Sequence, residues 1–226
     1  MIYQNIKKAE FISRPNRFIA NIKLEGKTEI CHVKNTGRCK ELLLTNAVVC
    51  VQEAENPSRK TKFDLISVYK GKKLINIDSS APNKVFFEWV QNGNLFKDVT
   101  KIRPELKHGD SRFDFYIEAD GQKIFVEVKG ATLEENGVVL FPDAPTERGV
   151  KHLNGLCDCV REGFSAYVVF VIQMRGVKYF TPNVKTHKAF GDALKTAAKS
   201  GVNIIAIDCD VTENSITANN FVEVKL

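Results

Sequence analysis

Apolar residues recur with two periods along the chain, and the change of period divides it. From Arg17 to Asp78 short alternating runs, at 17–24, 28–34, 47–53, 62–69 and 72–78, are separated by glycines and polar turns. Alternation over six to eight residues marks half-buried strands, and five such strands in succession predict a small, OB-like barrel, closed or nearly so. The stretch 37–43 is expected to form a short turn or helix capping one end.

The period changes at Ser80-Ala81-Pro82-Asn83. Ser80 can cap a helix, Pro82 suits its first turn, and Val85, Phe86, Trp89 and Val90 follow at helical spacing until Asn92-Gly93. This places a domain boundary between 1–80 and 81–226. A strand is expected around 99–106, a hairpin over 111–129, helices over 146–161 and 187–200, and strands over 167–173 and 202–208. The run Tyr167-Val168-Val169-Phe170-Val171-Ile172-Gln173 is apolar throughout, as a strand buried on both faces requires. The order predicts an all-β barrel followed by an α/β domain, a mixed sheet flanked by helices.

The hairpin carries the first chemical signal. If Asp120-Gly121 is a two-residue turn, residues whose numbers sum to 241 pair, and Asp114 lies opposite Glu127. Opposed carboxylates repel unless something compensates them, and a divalent cation does so. Lys129 projects from the same face as Glu127, with Arg112 as its cross-strand partner. The same residues also read as a surface ladder in which Arg112 and Lys129 neutralise the two acids.

Composition narrows the setting. The chain has 226 residues, 43% of them hydrophobic, and no apolar run near the roughly 20 residues of a membrane span. It opens without a secretory leader, so a cytoplasmic protein with no membrane partner is expected. Its six cysteines lack a CxxC pair and read as reduced, mostly buried thiols; a zinc site is not expected. Of the net charge of +6, residues 1–80 hold the whole excess, with 15 Lys and Arg against 8 Asp and Glu. A basic module joined to a carboxylate cluster suits a polyanion held by one part and offered a metal by the other.

Candidate phosphate contacts on the barrel are Arg14, Arg17, Lys34, Arg38, Lys40, Arg59 and Lys60, with Phe18 and Phe63 nearby. In the second part Thr146 is a predicted N-cap whose helix brings Arg148, Lys151 and His152 to an anion, and Arg112 is a further cation. The competing reading is a normally capped helix with a basic face.

The Asp114 and Glu127-Val128-Lys129 arrangement resembles the PD-(D/E)XK nuclease superfamily, whose restriction-endonuclease-like core binds magnesium or manganese. Two carboxylates suit a hard cation that keeps waters, and a lysine can orient the attacking water or steady phosphate charge. Glu88, on the preceding helix, is the candidate third metal ligand; a solvated helix-face acid is the alternative. Gln173 ends a buried strand, at the rim of this site or as an ordinary strand-end amide.

Over essentially its whole length the chain resembles the sugar fermentation stimulation protein A family, in Arg14-Pro15-Asn16-Arg17-Phe18, in the segments 31–42 and 111–115, in Glu127-Val128-Lys129-Gly130 and in 141–153. The resemblance implies an OB-like domain, a nuclease-like domain, and DNA binding associated with regulation of sugar-utilisation genes. A metal-dependent DNA nuclease, a non-catalytic DNA-binding regulator and a small-molecule phosphodiesterase remain the three readings, and self-association stays open.

Overall fold

The computed structural model describes residues 1–35, 37–56 and 58–226. Its first part is built from β1 (Ile6–Ser13), β2 (Ile19–Leu24), β3 (Lys27–His32), β4 (Val48–Glu53), β5 (Phe63–Lys70) and β6 (Lys73–Asn76). The strand order is β3-β2-β1-β4-β5-β6, and a parallel pairing of β3 with β5, Cys31 to Phe63 and His32 to Asp64, closes five strands into a barrel. Alternate residues fill it: Ala20, Ile22 and Leu24 of β2 all point inward.

The barrel differs from the sequence expectation in its membership. β1 was not among the expected strands, yet it lies between β2 and β4; the expected last strand, β6, pairs with β5 alone. Two lysines and a glutamate hide β1's alternation, since only Ala9 and Phe11 are buried. Residues 40–42 form a turn, not a helix.

The second part comprises α1 (Ala81–Gln91), β7 (Val99–His108), β8 (Ser111–Ala119), β9 (Gln122–Ala131), β10 (Leu133–Glu135), β11 (Val138–Phe141), α2 (Glu147–Arg161), β12 (Ser165–Ile172), β13 (Tyr179–Pro182), α3 (Lys188–Lys199), β14 (Asn203–Thr212) and β15 (Ser215–Val224). Nine strands form one mixed sheet, β10-β11-β13-β15-β14-β12-β9-β8-β7. A closed five-stranded barrel followed by a mixed sheet with three helices is the architecture the sequence pattern predicted. The short strands β10, β11 and β13, and the polar β15, were not expected.

β12 sits centrally, parallel to both β9 and β14. Its Val169 and Val171 pack with α1, while Val168 and Phe170 pack with α2 and α3, so the helices cover opposite faces. Gly155 lets α2 lie close on β8, because a methyl group there would stand 2.9 Å from Ser111 Oγ and 3.1 Å from Phe113 Cζ. The N-terminus belongs with this sheet: Ile2 bridges to Ser215, and Tyr3 packs in the α1 core. All six cysteines are free and buried. Among the described residues no helix is long and apolar enough to cross a membrane.

Candidate metal centre

Asp120 and Gly121 both have positive φ, 53° and 74°, as a tight two-residue hairpin turn demands. The β8–β9 ladder runs from Ala119–Gln122 to Phe115–Val126, every pair summing to 241. It stops one step before Asp114. There the side chain takes over the ladder's role: Asp114 Oδ2 accepts the Val128 amide at 2.8 Å, and Oδ1 accepts Asn83 Nδ2 of α1 at 3.0 Å.

Glu127 is 2% exposed. Its Oε1 accepts from Lys129 Nζ and from His152 Nδ1 of α2. Arg148 Nε in turn donates to His152 Nε2 at 3.3 Å, which assigns the ring proton to Nδ1. Glu127 Oε2 is buried and has no hydrogen-bond partner. The hairpin edge thus presents two acids steadied from opposite faces of the sheet, Asp114 by α1 and Glu127 by α2.

Burial, then the charge of Glu127, raises the Asp114 pKa against the pull of the Val128 amide, Asn83 and Lys129. Burial would also raise Glu127, but His152 and Lys129 outweigh it and hold that carboxyl below its ordinary range. Negative charge is therefore in excess around Asp114, and one buried carboxylate oxygen is unspent. A hard divalent cation would satisfy both. Both side chains are hard oxygen donors, so the pair fits a divalent ion that takes carboxylate ligands and retains several waters.

The other expected site residues separate into groups. Glu88 does not join the acids: it lies about 140° around α1 from Asn83, and its carboxylate meets the N-terminal amine at 2.5 Å. Arg112 does not face Lys129, because the ladder ends before it; it pairs with Lys107 of β7 and is exposed, 3.6 Å from Glu105. His152 is buried on Glu127 and is not a surface contact for DNA.

Arg14 is not free for phosphate either. Its guanidinium donates to the carbonyls of Arg17, Asn35, Gly37 and Arg38 at 2.6–2.8 Å, tying these four residues together. Lys34 lies between two buried carboxylates, 3.6 Å from Asp64 and 3.4 Å from Asp78, and Arg59 grips Asp64 with both nitrogens. Arg17, Arg38 and Lys40 remain exposed, along a groove of about 790 Å³ that reaches Ala144 in the second domain. Arg148 and Lys151 are exposed on α2.

One functional neighbour, Asn83, escaped the sequence reading, and another, His152, was expected on an anion and instead holds Glu127, though each carried a signal. Asn83 is a polar residue three and four positions before Phe86 and Phe87, on the apolar stripe of α1. His152 likewise precedes Leu156 and Cys159 on the inner stripe of α2. A polar residue on a buried stripe needs a partner, and here the partners are the two acids.

Two family models cover this arrangement: the SfsA N-terminal OB domain matches residues 12–77, and the sugar fermentation stimulation protein RE domain matches 80–215. The chain belongs to the SfsA family. A sugar fermentation stimulation protein homolog of Clostridium beijerinckii is 62% identical over 226 residues, covering all of both chains. One from Desulfitobacterium hafniense is also 62% identical, over all of this chain and 99% of its own. Among solved structures, Pyrococcus furiosus SfsA in complex with Ca2+ superposes with a TM-score of 0.91 at 27% identity, covering 100% of this chain and 98% of that one. The SfsA fold thus extends over barrel, hairpin and helices alike.

Proposed function

We propose that this SfsA chain is a divalent-metal-dependent nuclease acting on DNA, with Asp114 and Glu127 as metal ligands. The observation that carries the reading is the buried, partnerless Glu127 Oε2 near an Asp114 whose pKa burial and then the charge of Glu127 raise. The calcium in the Pyrococcus furiosus relative supports it. Magnesium or manganese held there supplies Lewis acidity to a phosphate and lowers the pKa of a bound water.

The chain's own residues do the rest. Asn83 and the Val128 amide orient Asp114; His152 orients Glu127. Lys129, on Glu127 Oε1, brings positive charge to the site, where it steadies the charge developing on the phosphate. Arg148, one hydrogen bond from His152, holds a neighbouring phosphate, and Lys151 extends the positive face. Arg17, Arg38 and Lys40 hold the polyanion on the barrel by sequence-independent phosphate contacts.

The test is magnesium- and manganese-dependent cleavage of labelled single- and double-stranded DNA and RNA, with Asp114→Asn purified in parallel. Cleavage by the wild type and its loss in the variant are expected. Absence of cleavage on every substrate, with salt-sensitive DNA binding retained, would overturn the nuclease and leave a DNA-binding regulator.

A further inference from the structure

A cavity of about 110 Å³ lies between the barrel and the second domain. Two of its wall residues adjoin site residues in the chain: Gly130 follows Lys129, and Pro82 precedes Asn83. It is several-fold larger than the roughly 10–15 Å³ one water needs. Gly130 lets two of the lining side chains close in on the strand. Gly130 is not in the left-handed region, so glycine is not there for its backbone; a methyl group at that point would stand 2.5 Å from Gln173 Oε1 and 2.7 Å from Pro82 Cγ.

The polar groups are preset. Gln173, 2% exposed, spends its amide protons on Asn76 Oδ1 at 2.8 Å and the Asp78 carbonyl at 3.1 Å, which turns Oε1 toward Gly130. Asn35 is held through its carbonyl by Arg14 and through Oδ1 by the Gly37 amide, leaving its NH₂ among the lining groups. Asp143 adds a carboxylate. Phe141, Leu133 and Leu140 supply apolar walls.

We infer that this cavity receives one nucleobase of the bound polynucleotide, extruded beside the scissile phosphate. Apolar walls with a few fixed polar groups at one edge are what a planar base requires once it leaves the stack. Gln173 Oε1 and the Asp143 carboxylate can only accept hydrogen bonds, so the site favours bases whose exocyclic NH₂ has a proton for each acceptor, adenine, cytosine and guanine, over thymine, which offers the single N3–H. The ligand class rests on the nuclease reading.

The experiment is metal-free titration of the full chain with dAMP, dCMP, dGMP and TMP, following the Gly130 and Thr132 amides by NMR. The three amino-bearing nucleotides should shift both amides saturably, with TMP weaker by about tenfold, the equivalent of one charge-assisted hydrogen bond. Asp143→Ala, an exposed change compatible with folding, should weaken them by a similar factor, and Ser79→Tyr at the mouth should abolish the shifts while the amide spectrum elsewhere is kept. No shift with any nucleotide, equal binding of TMP, or full binding to Ser79→Tyr would overturn the assignment. Because the readout needs neither metal nor cleavage, base binding by a protein that cuts nothing would sink the nuclease alone, and cleavage without base binding would sink the pocket alone.

Discussion

His152 Nδ1 and Glu127 Oε1 form a hydrogen bond between two nearly fully buried residues of α2 and β9. A buried carboxylate that loses a donor retains its desolvation cost, so His152→Ala is expected to cost about 2–3 kcal/mol. For a chain of this size that lowers the melting temperature by about 4–12 °C. His152→Asn, whose amide can occupy the place of Nδ1, should recover part of the loss. Equal melting of His152→Ala and wild type would remove the histidine from its positioning role.

Asp114 predicts the opposite sign. Burial and Glu127 raise its folded pKa above the unfolded value of about 4. The folded state then binds the proton more tightly, so without metal this group's contribution falls as pH rises through the folded pKa. Asp114→Asn removes that penalty and should melt at or above the wild type at neutral pH. Saturating calcium or magnesium should reverse the order, since ligand at 100 times its Kd adds about 2.7 kcal/mol to the wild type alone. A variant that gains as much from the cation as the wild type would disqualify Asp114 as a ligand.

The hairpin was legible because an Asp-Gly turn sets register by arithmetic, and α1 because its apolar stripe is clean. The arithmetic failed one residue past the ladder's end, where Asp114 substitutes its carboxylate for a backbone partner and Arg112 swings away. β1 and β15 were invisible for a different reason: each is a sheet interior strand with much of one face in water, and its charged and amide residues break the alternation. The cations were the least legible. Charge alone does not distinguish Arg14, spent on four carbonyls, from Arg17, free in the groove.

Asp64 should dominate part of the acid limb of stability. Burial opposes its charge, but Arg59, Lys34 and His32 together lower its pKa. A depressed carboxyl contributes stability above its unfolded pKa of about 4, and that contribution is lost as pH falls through the lower folded value. Asp64→Asn is expected to cost about 2–3 kcal/mol at pH 7, less than a fully buried pair because Arg59 and Lys34 keep 34% and 27% of their side-chain surface. The gap in melting temperature between variant and wild type should narrow steadily below about pH 4. A gap independent of pH would show that packing, not charge, holds this corner.

Arg14 and its exposed neighbours should separate stability from binding. Arg14→Ala orphans four carbonyls, an expected loss of about 2–4 kcal/mol. Arg14→Lys should rescue little, because an ammonium has no planar fork to span four acceptors. Arg17→Ala with Lys40→Ala touches no such network and should leave the melting temperature within a degree or two. The double variant should instead bind DNA more weakly and reduce the slope of log affinity against log salt by about 0.7–0.9 for each phosphate contact removed. An unchanged slope would take the groove out of the DNA path, and a large fall in melting temperature would assign Arg17 and Lys40 to the fold.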